Sequence, residues 1–241
     1  MPPPVGGVYR LGQRSANWFA PPDWAYVHDD GTFGNRFDDP SAATGVPPEG
    51  RFRAIYCATQ RAATFGETIA RFRPSLRLLA DLAEIDDDEP IAESLAGAVD
   101  PQDPRRGVVR ADWRHHRRVD HTVLVPDLAF VDITAAETLQ HLRVALAPMA
   151  ERLGLADVDL SAVTSPQRLL TQHCARYIYD QRATSSRPRF AGIRYVSRLN
   201  PAWECWAIFD DVPLEELDRR PIAAEMPAFQ RVAKLFGLTV Y

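Results

Sequence analysis

The chain has 241 residues, 46% of them hydrophobic and 25% charged, which suits one core of moderate size. A formal charge of −4 and a pI near 5.9 leave no general electrostatic pull toward nucleic acid. No apolar run approaches the roughly 20 residues that cross a bilayer, so a membrane protein is not expected.

The opening "MPPPVGGVYR" lacks the charged and apolar regions of a secretory signal. Within it "VYRL" (8–11) reads as a short first strand. Residues 28–40, "HDDGTFGNRFDDP", are turn chemistry: Asp-Gly and Gly-Asn bend the chain, and flanking aromatics pin the bends. "RAIYCAT" (53–59) is a buried strand of small, β-branched and aromatic residues. Thr59 is placed to cap the helix of residues 60–73, whose apolar positions Ala63, Phe65, Ile69, Ala70 and Phe72 fall near one side. Gly66 interrupts that helix at a cost of about 1 kcal/mol, which points to a close approach to its backbone. Pro74 stops the helix.

Residues 84–120 run from acidic "EIDDDEP" to basic "RRGVVRADWRHHRRVDH" and read as an insertion or mobile connection within one domain spanning 1–241. Short strands follow at 121–126 and 128–133. Thr134 and Glu137 form a capping-box pattern ahead of a helix over 134–146, which Pro148 ends or kinks. A helix over 164–182 has Ser165 as N-cap and Pro166 at its first position. His173 falls on its buried stripe as a core histidine. Strands at 190–197 and 205–210 flank the turn "RLNPAWE", and a last amphipathic helix covers about 223–236.

Cys57, Cys174 and Cys205 form no CxxC pair, so they read as small buried hydrophobes in a reducing cytoplasm. Dinucleotide-fold, P-loop, HExxH and GxSxG signatures are all missing. His115, His116 and His121 with Asp120 make a metal site only on paper, because adjacent histidines rarely present both rings to one ion. An active site must then be assembled from dispersed residues. Four places combine polar side chains with strand or turn context: Arg10 in "VYRL", Arg36 in "GNRFD", Tyr56 in "AIYCA" ahead of Glu67, and Ser197 closing "GIRYVS".

That ordered set resembles the RES domain family, named for an Arg, a Glu and a Ser. Tyr9-Arg10 matches its opening "YR" strand, and Asn35-Arg36-Phe37-Asp38 matches its aromatic turn with an Arg. "AIYCATQRAATFGETIA" matches the strand with a Tyr and helix with a Glu, and "GIRYVSRLNPAWECWAIFD" the closing Gly-Ile-x-Tyr-x-Ser segment and strand. Where many members carry an Asn near the start of the last strand, this chain has Glu204 or Cys205. The resemblance implies a mixed α/β fold similar to the diphtheria-toxin-like ADP-ribosyltransferase core. It implies NAD+ as substrate, no required cofactor, inorganic phosphate or water as acceptor, and a toxin role beside an Xre-like antitoxin. A homo-oligomer is compatible with it.

The residue types fit such chemistry. Cleaving nicotinamide from ribose leaves an oxocarbenium-like sugar, which a fixed carboxylate such as Glu67 stabilises. Arg10 and Arg36 suit pyrophosphate, and an arginine equally suits an inorganic phosphate nucleophile. Tyr56 offers a ring for nicotinamide and a hydroxyl, and Ser197 a hydrogen bond to carboxamide or ribose. Rival readings are an ADP-ribosyltransferase acting on protein, a non-catalytic NAD+ or ADP-ribose binding module, and nucleic-acid binding through residues 105–118.

Overall fold

Alternation along "AIYCA" sets the centre of the fold: Ala54 and Ala58 face one core, Ile55 and Cys57 the other. In a computed structural model, which describes residues 1–17, 19–84, 107–181 and 189–241, this stretch is strand β2 (Ala54–Ala58). It lies in the middle of a seven-stranded sheet with β1 (Val8–Gln13), β4 (Arg117–Leu124), β5 (Phe130–Asp132), β6 (Gly192–Val196), β7 (Glu204–Phe209) and β8 (Leu214–Pro221). The order is β5-β6-β7-β2-β1-β4-β8, with every pair antiparallel except β5 and β6. β3 (Val108–Val109) pairs in parallel with β9 (Thr239–Val240) in a separate ribbon. The chain is a mixed α/β protein with a single domain.

Helices cover one face of the sheet. α1 (Arg61–Ile69) meets α8 (Pro227–Leu235) through Phe65 and Phe229, whose ring centres are 5.2 Å apart. α7 (Arg168–Tyr179) buries Leu170, Cys174, Ala175 and Ile178 in the same core. Helices α2 (Leu76–Ala83), α3 (Ala111–His115), α4 (Ala136–Ala145), α5 (Ala147–Arg152) and α6 (Leu160–Thr164) lie between these elements in the chain. The opposite face packs Ile55, Trp206 and Ile208 beneath Phe19, Phe130 and Val212. Among the described residues no helix is long and apolar enough to cross a membrane.

Several boundaries differ from the sequence expectations, each for a local reason. Thr59 does not cap α1. The cap position is Gln60, and the Thr59 hydroxyl instead donates to Glu204 and accepts from the Trp206 indole. The capping box at Thr134 does not form, because Asp132 takes both the Thr134 backbone N–H and its hydroxyl in a turn, and α4 starts from Ala135. Ser165 closes α6 and is not the N-cap of α7, which begins at Arg168, so Pro166 lies between two helices. The last helix is shorter than 223–236. Pro148 does break the chain, between α4 and α5 at Leu146.

The stretch 84–120 needs the largest correction. Residues 85–106 lie outside the described residues, but 107–120 build β3, α3 and the first half of β4. Two arginines of the basic run are internal. Arg114 donates to the Tyr241 and Ile222 carbonyls, and Arg118 to Asp120 at 2.7 Å, with Asp120 only 1% exposed. Arg117 stacks over Trp113, its guanidinium carbon 4.7 Å from the ring centre. Within 107–120 the exposed basic side chains are thus Arg110, His115 and His116, while Arg114 and Arg118 are buried. The imagined metal cluster is dispersed as well: His121 stacks on Tyr9 and bonds the Gly6 carbonyl, while Asp120 is paired with Arg118.

Candidate active site

The site follows from a fork in the sheet. β1 is paired with β4 along Val8–Gln13, but its register with β2 is Tyr9 opposite Ala58. Beyond that pair the strands part. Arg10 and Leu11 form one lip of a cleft and Tyr56, Cys57 and Ala58 the other. α1, the loop of residues 34–36, the start of α7 and the loop after β6 complete a cavity of about 690 Å³.

Glu67 lies on the solvent side of α1 and lines this cleft. Its Oε1 accepts a short hydrogen bond from the Ser197 hydroxyl. Ser197 is 4% exposed, and its oxygen also accepts the Leu199 N–H at 3.0 Å. The Ser197 hydroxyl is thus committed to fixing Glu67 and the following loop. It positions the carboxylate, and Ser197 is not among the residues that line the cavity. Gly66 permits the arrangement, since a Cβ there would lie 2.0 Å from the Trp203 ring, well inside contact distance. The close approach inferred from the sequence is this indole, carried by the loop that Ser197 anchors.

Arg36 is held by its surroundings. One Nη donates to the Val163 carbonyl, the guanidinium lies 5.2 Å from the Phe37 ring centre and 5.4 Å from that of Tyr195, and Nε is buried without a hydrogen-bond partner among the described residues. Burial lowers its pKa from the ordinary arginine value, and nearby Arg198 adds to this. Asp38 builds the loop that presents it, accepting the Phe33 and Asn35 N–H groups at 3.0 and 2.7 Å. Burial holds the Asp38 carboxyl above the usual carboxylate range.

Tyr56 presents its ring and its hydroxyl to different partners. Its ring lines the cleft, but its hydroxyl donates to Asp38 at 3.2 Å and accepts the Phe37 N–H at 2.9 Å. Burial, with Asp38 beside it, pushes the phenol well above its ordinary pKa, so it stays a neutral donor. The hydroxyl supports the loop of Arg36 and leaves only the ring for a ligand. Arg10 donates to the Ala20 carbonyl at 2.5 Å, and burial lowers its pKa from the ordinary arginine value.

The structure therefore brings all five sequence candidates to one place: four line the cleft and Ser197 stands behind Glu67. It adds Arg168, Tyr195 and Arg198 to the walls. None of these was legible as a site residue. Arg168 sits in a helix start and Tyr195 in a core strand, and only adjacency to Ser197 hinted at Arg198. Glu204 and Cys205, at the position where many related chains carry Asn, do not line the cleft. Glu204 joins Arg194 at 3.0 Å and Thr59 at 2.6 Å, and Cys205 is fully buried. Among the lining residues Glu67 is the only carboxylate against four arginines.

A mixed sheet forks over a cleft lined by one carboxylate and four guanidiniums. The RES domain family model matches residues 8–230, and the chain belongs to this family. Membership supports an NAD-related function and enzymatic activity in general. No curated protein and no solved structure matches the chain.

Proposed function

We propose that this protein cleaves NAD+ at the nicotinamide–ribose bond, with inorganic phosphate or water as acceptor. The observation that carries the reading is the lone cleft carboxylate Glu67, locked by Ser197 and surrounded by arginines. The C1′–N bond breaks with its electron pair leaving on nicotinamide, which departs neutral and needs no proton. Positive charge then develops on the ribose, and a fixed carboxylate lowers its energy most where water is scarce. An acceptor oxygen closes the new bond to C1′, giving an ADP-ribose phosphate or, after water loses a proton, ADP-ribose. In this reading Arg36 and Arg10 offer their remaining N–H groups to the acceptor phosphate at the reacting end, and the Tyr56 ring meets the nicotinamide. The same reading takes the fold as similar to the ADP-ribosyltransferase core. It places the protein in the cytoplasm as a toxin restrained by an Xre-like partner.

The test is incubation with NAD+, with and without inorganic phosphate, followed by mass spectrometry. Nicotinamide release that falls at least about 100-fold in Glu67→Gln supports the reading. A phosphate adduct of ADP-ribose identifies the acceptor, and label on added protein identifies a transferase instead. NAD+ that binds without turnover overturns cleavage in favour of a binding module.

A further inference from the structure

Most arginines among the described residues are committed. Arg53 pairs with Asp210, Arg118 with Asp120, Arg143 with Asp157, Arg176 with Asp39 and Asp180, and Arg194 with Asp132 and Glu204. Within the cleft, Arg10 and Arg36 each donate to a backbone carbonyl. Arg168 and Arg198 differ. Both are exposed, both line the cleft, and neither side chain has a hydrogen bond or ion pair among the described residues. They come from separate elements, the first turn of α7 and the loop directly after Ser197.

A glycine makes room beside Arg168. Gly34 has φ +73, and a Cβ there would stand 3.3 Å from the Arg168 Nη1 and 3.1 Å from the His28 ring. The glycine thus lets the loop of Arg36 pass close beneath the Arg168 guanidinium. Four like charges around one cavity repel one another, with Glu67 the only carboxylate of the lining and with Asp30 acting on Arg168 and Asp120 on Arg10 from outside it. An arrangement of that kind is stabilised when a polyanion enters. Guanidinium forks grip phosphate oxygens in pairs, and two forks carried by separate elements of one cleft suit a diphosphate better than a single charge.

We infer that Arg168 and Arg198 form the phosphate clamp of this cleft and take the diphosphate of the dinucleotide, leaving Arg10 and Arg36 to the deeper, reacting end; the inference rests on the NAD+ reading above. The chemistry required of the ligand is a nucleoside diphosphate moiety.

Calorimetric titration of the full chain tests it, with ADP, adenosine and inorganic phosphate as probes. ADP is expected to bind more tightly than adenosine. Arg168→Gln and Arg198→Gln are each expected to weaken ADP about tenfold while leaving adenosine unchanged. Arg168→Lys and Arg198→Lys, which keep the charge and lose the fork, fall between. ADP affinity equal to wild type in both glutamine variants overturns the clamp, as does adenosine binding as tightly as ADP. Loss of inorganic phosphate binding alone, with ADP unaffected, overturns it in favour of a free-phosphate site. Absence of nicotinamide release, with ADP binding still dependent on both arginines, overturns the cleavage reading and supports the clamp.

Discussion

At the residue scale the site depends on side chains that hold other side chains. Ser197 is the clearest case, because its hydroxyl donates to Glu67 and accepts from Leu199, so it sets where the carboxylate stands. Ser197→Ala removes one charge-assisted hydrogen bond, and kcat for nicotinamide release is expected to fall about tenfold with KM changed little. A rise in KM at constant kcat would instead make Ser197 a substrate contact. Gly66 bears a steric load. Gly66→Ala drives a methyl into the Trp203 ring, so the helix propensity gained is smaller than the overpacking cost of about 1–3 kcal/mol. Thermal unfolding should report a lowered melting temperature; an unchanged or raised one would mean that the indole moves aside freely.

At the scale of elements, α7 matters most, because it closes the cleft with Arg168 and fills the core with Leu170, Cys174 and Ile178. His173 lies between these roles. Burial, with Arg152 assisting, holds its pKa below the ordinary 6.5, while Asp39 opposes. As pH falls through 6.5 the unfolded chain therefore takes up the proton before the folded one does. Stability is full above 6.5 and declines from there as pH drops through the lower folded value. Urea unfolding at pH about 7.5 and about 5.5 should show a smaller loss in His173→Asn than in the wild type. Equal losses would mean that carboxylates alone set the acid limb.

At the scale of the whole molecule, the basic run is part of the sheet. Arg118 neutralises Asp120 beneath the fork, and Arg114 ties α3 to the Tyr241 and Ile222 carbonyls. Arg118→Met leaves a carboxylate that is 1% exposed without its cation, and a loss of about 3–5 kcal/mol in unfolding free energy is expected. A variant that unfolds like the wild type but loses affinity for nucleic acid would restore the reading of this run as a binding face.

Short-range pattern settled much of this protein. The strand "AIYCA", the helix bearing Glu67, the break at Pro148 and the order of Arg10, Arg36, Tyr56, Glu67 and Ser197 are all visible in the chain, because periodicity and turn chemistry act over a few residues. The family resemblance that joined those five positions is likewise a property of their order. What the sequence could not contain is partnership across distance. β8 went unread because "LEELDRRP" is a polar strand along the sheet edge, where charge is favoured and no apolar alternation shows. The direction of the Ser197 hydroxyl, the bonds of Arg118 to the Arg14 and Ala16 carbonyls and the entry of Arg168 and Arg198 into the cleft each depend on segments far away in the chain, and the Tyr56 hydroxyl depends on Asp38, 18 positions away. A hydroxyl or guanidinium has many acceptors open to it in the extended chain. Only the packed sheet, forked at Tyr9 and Ala58, decides which one it meets.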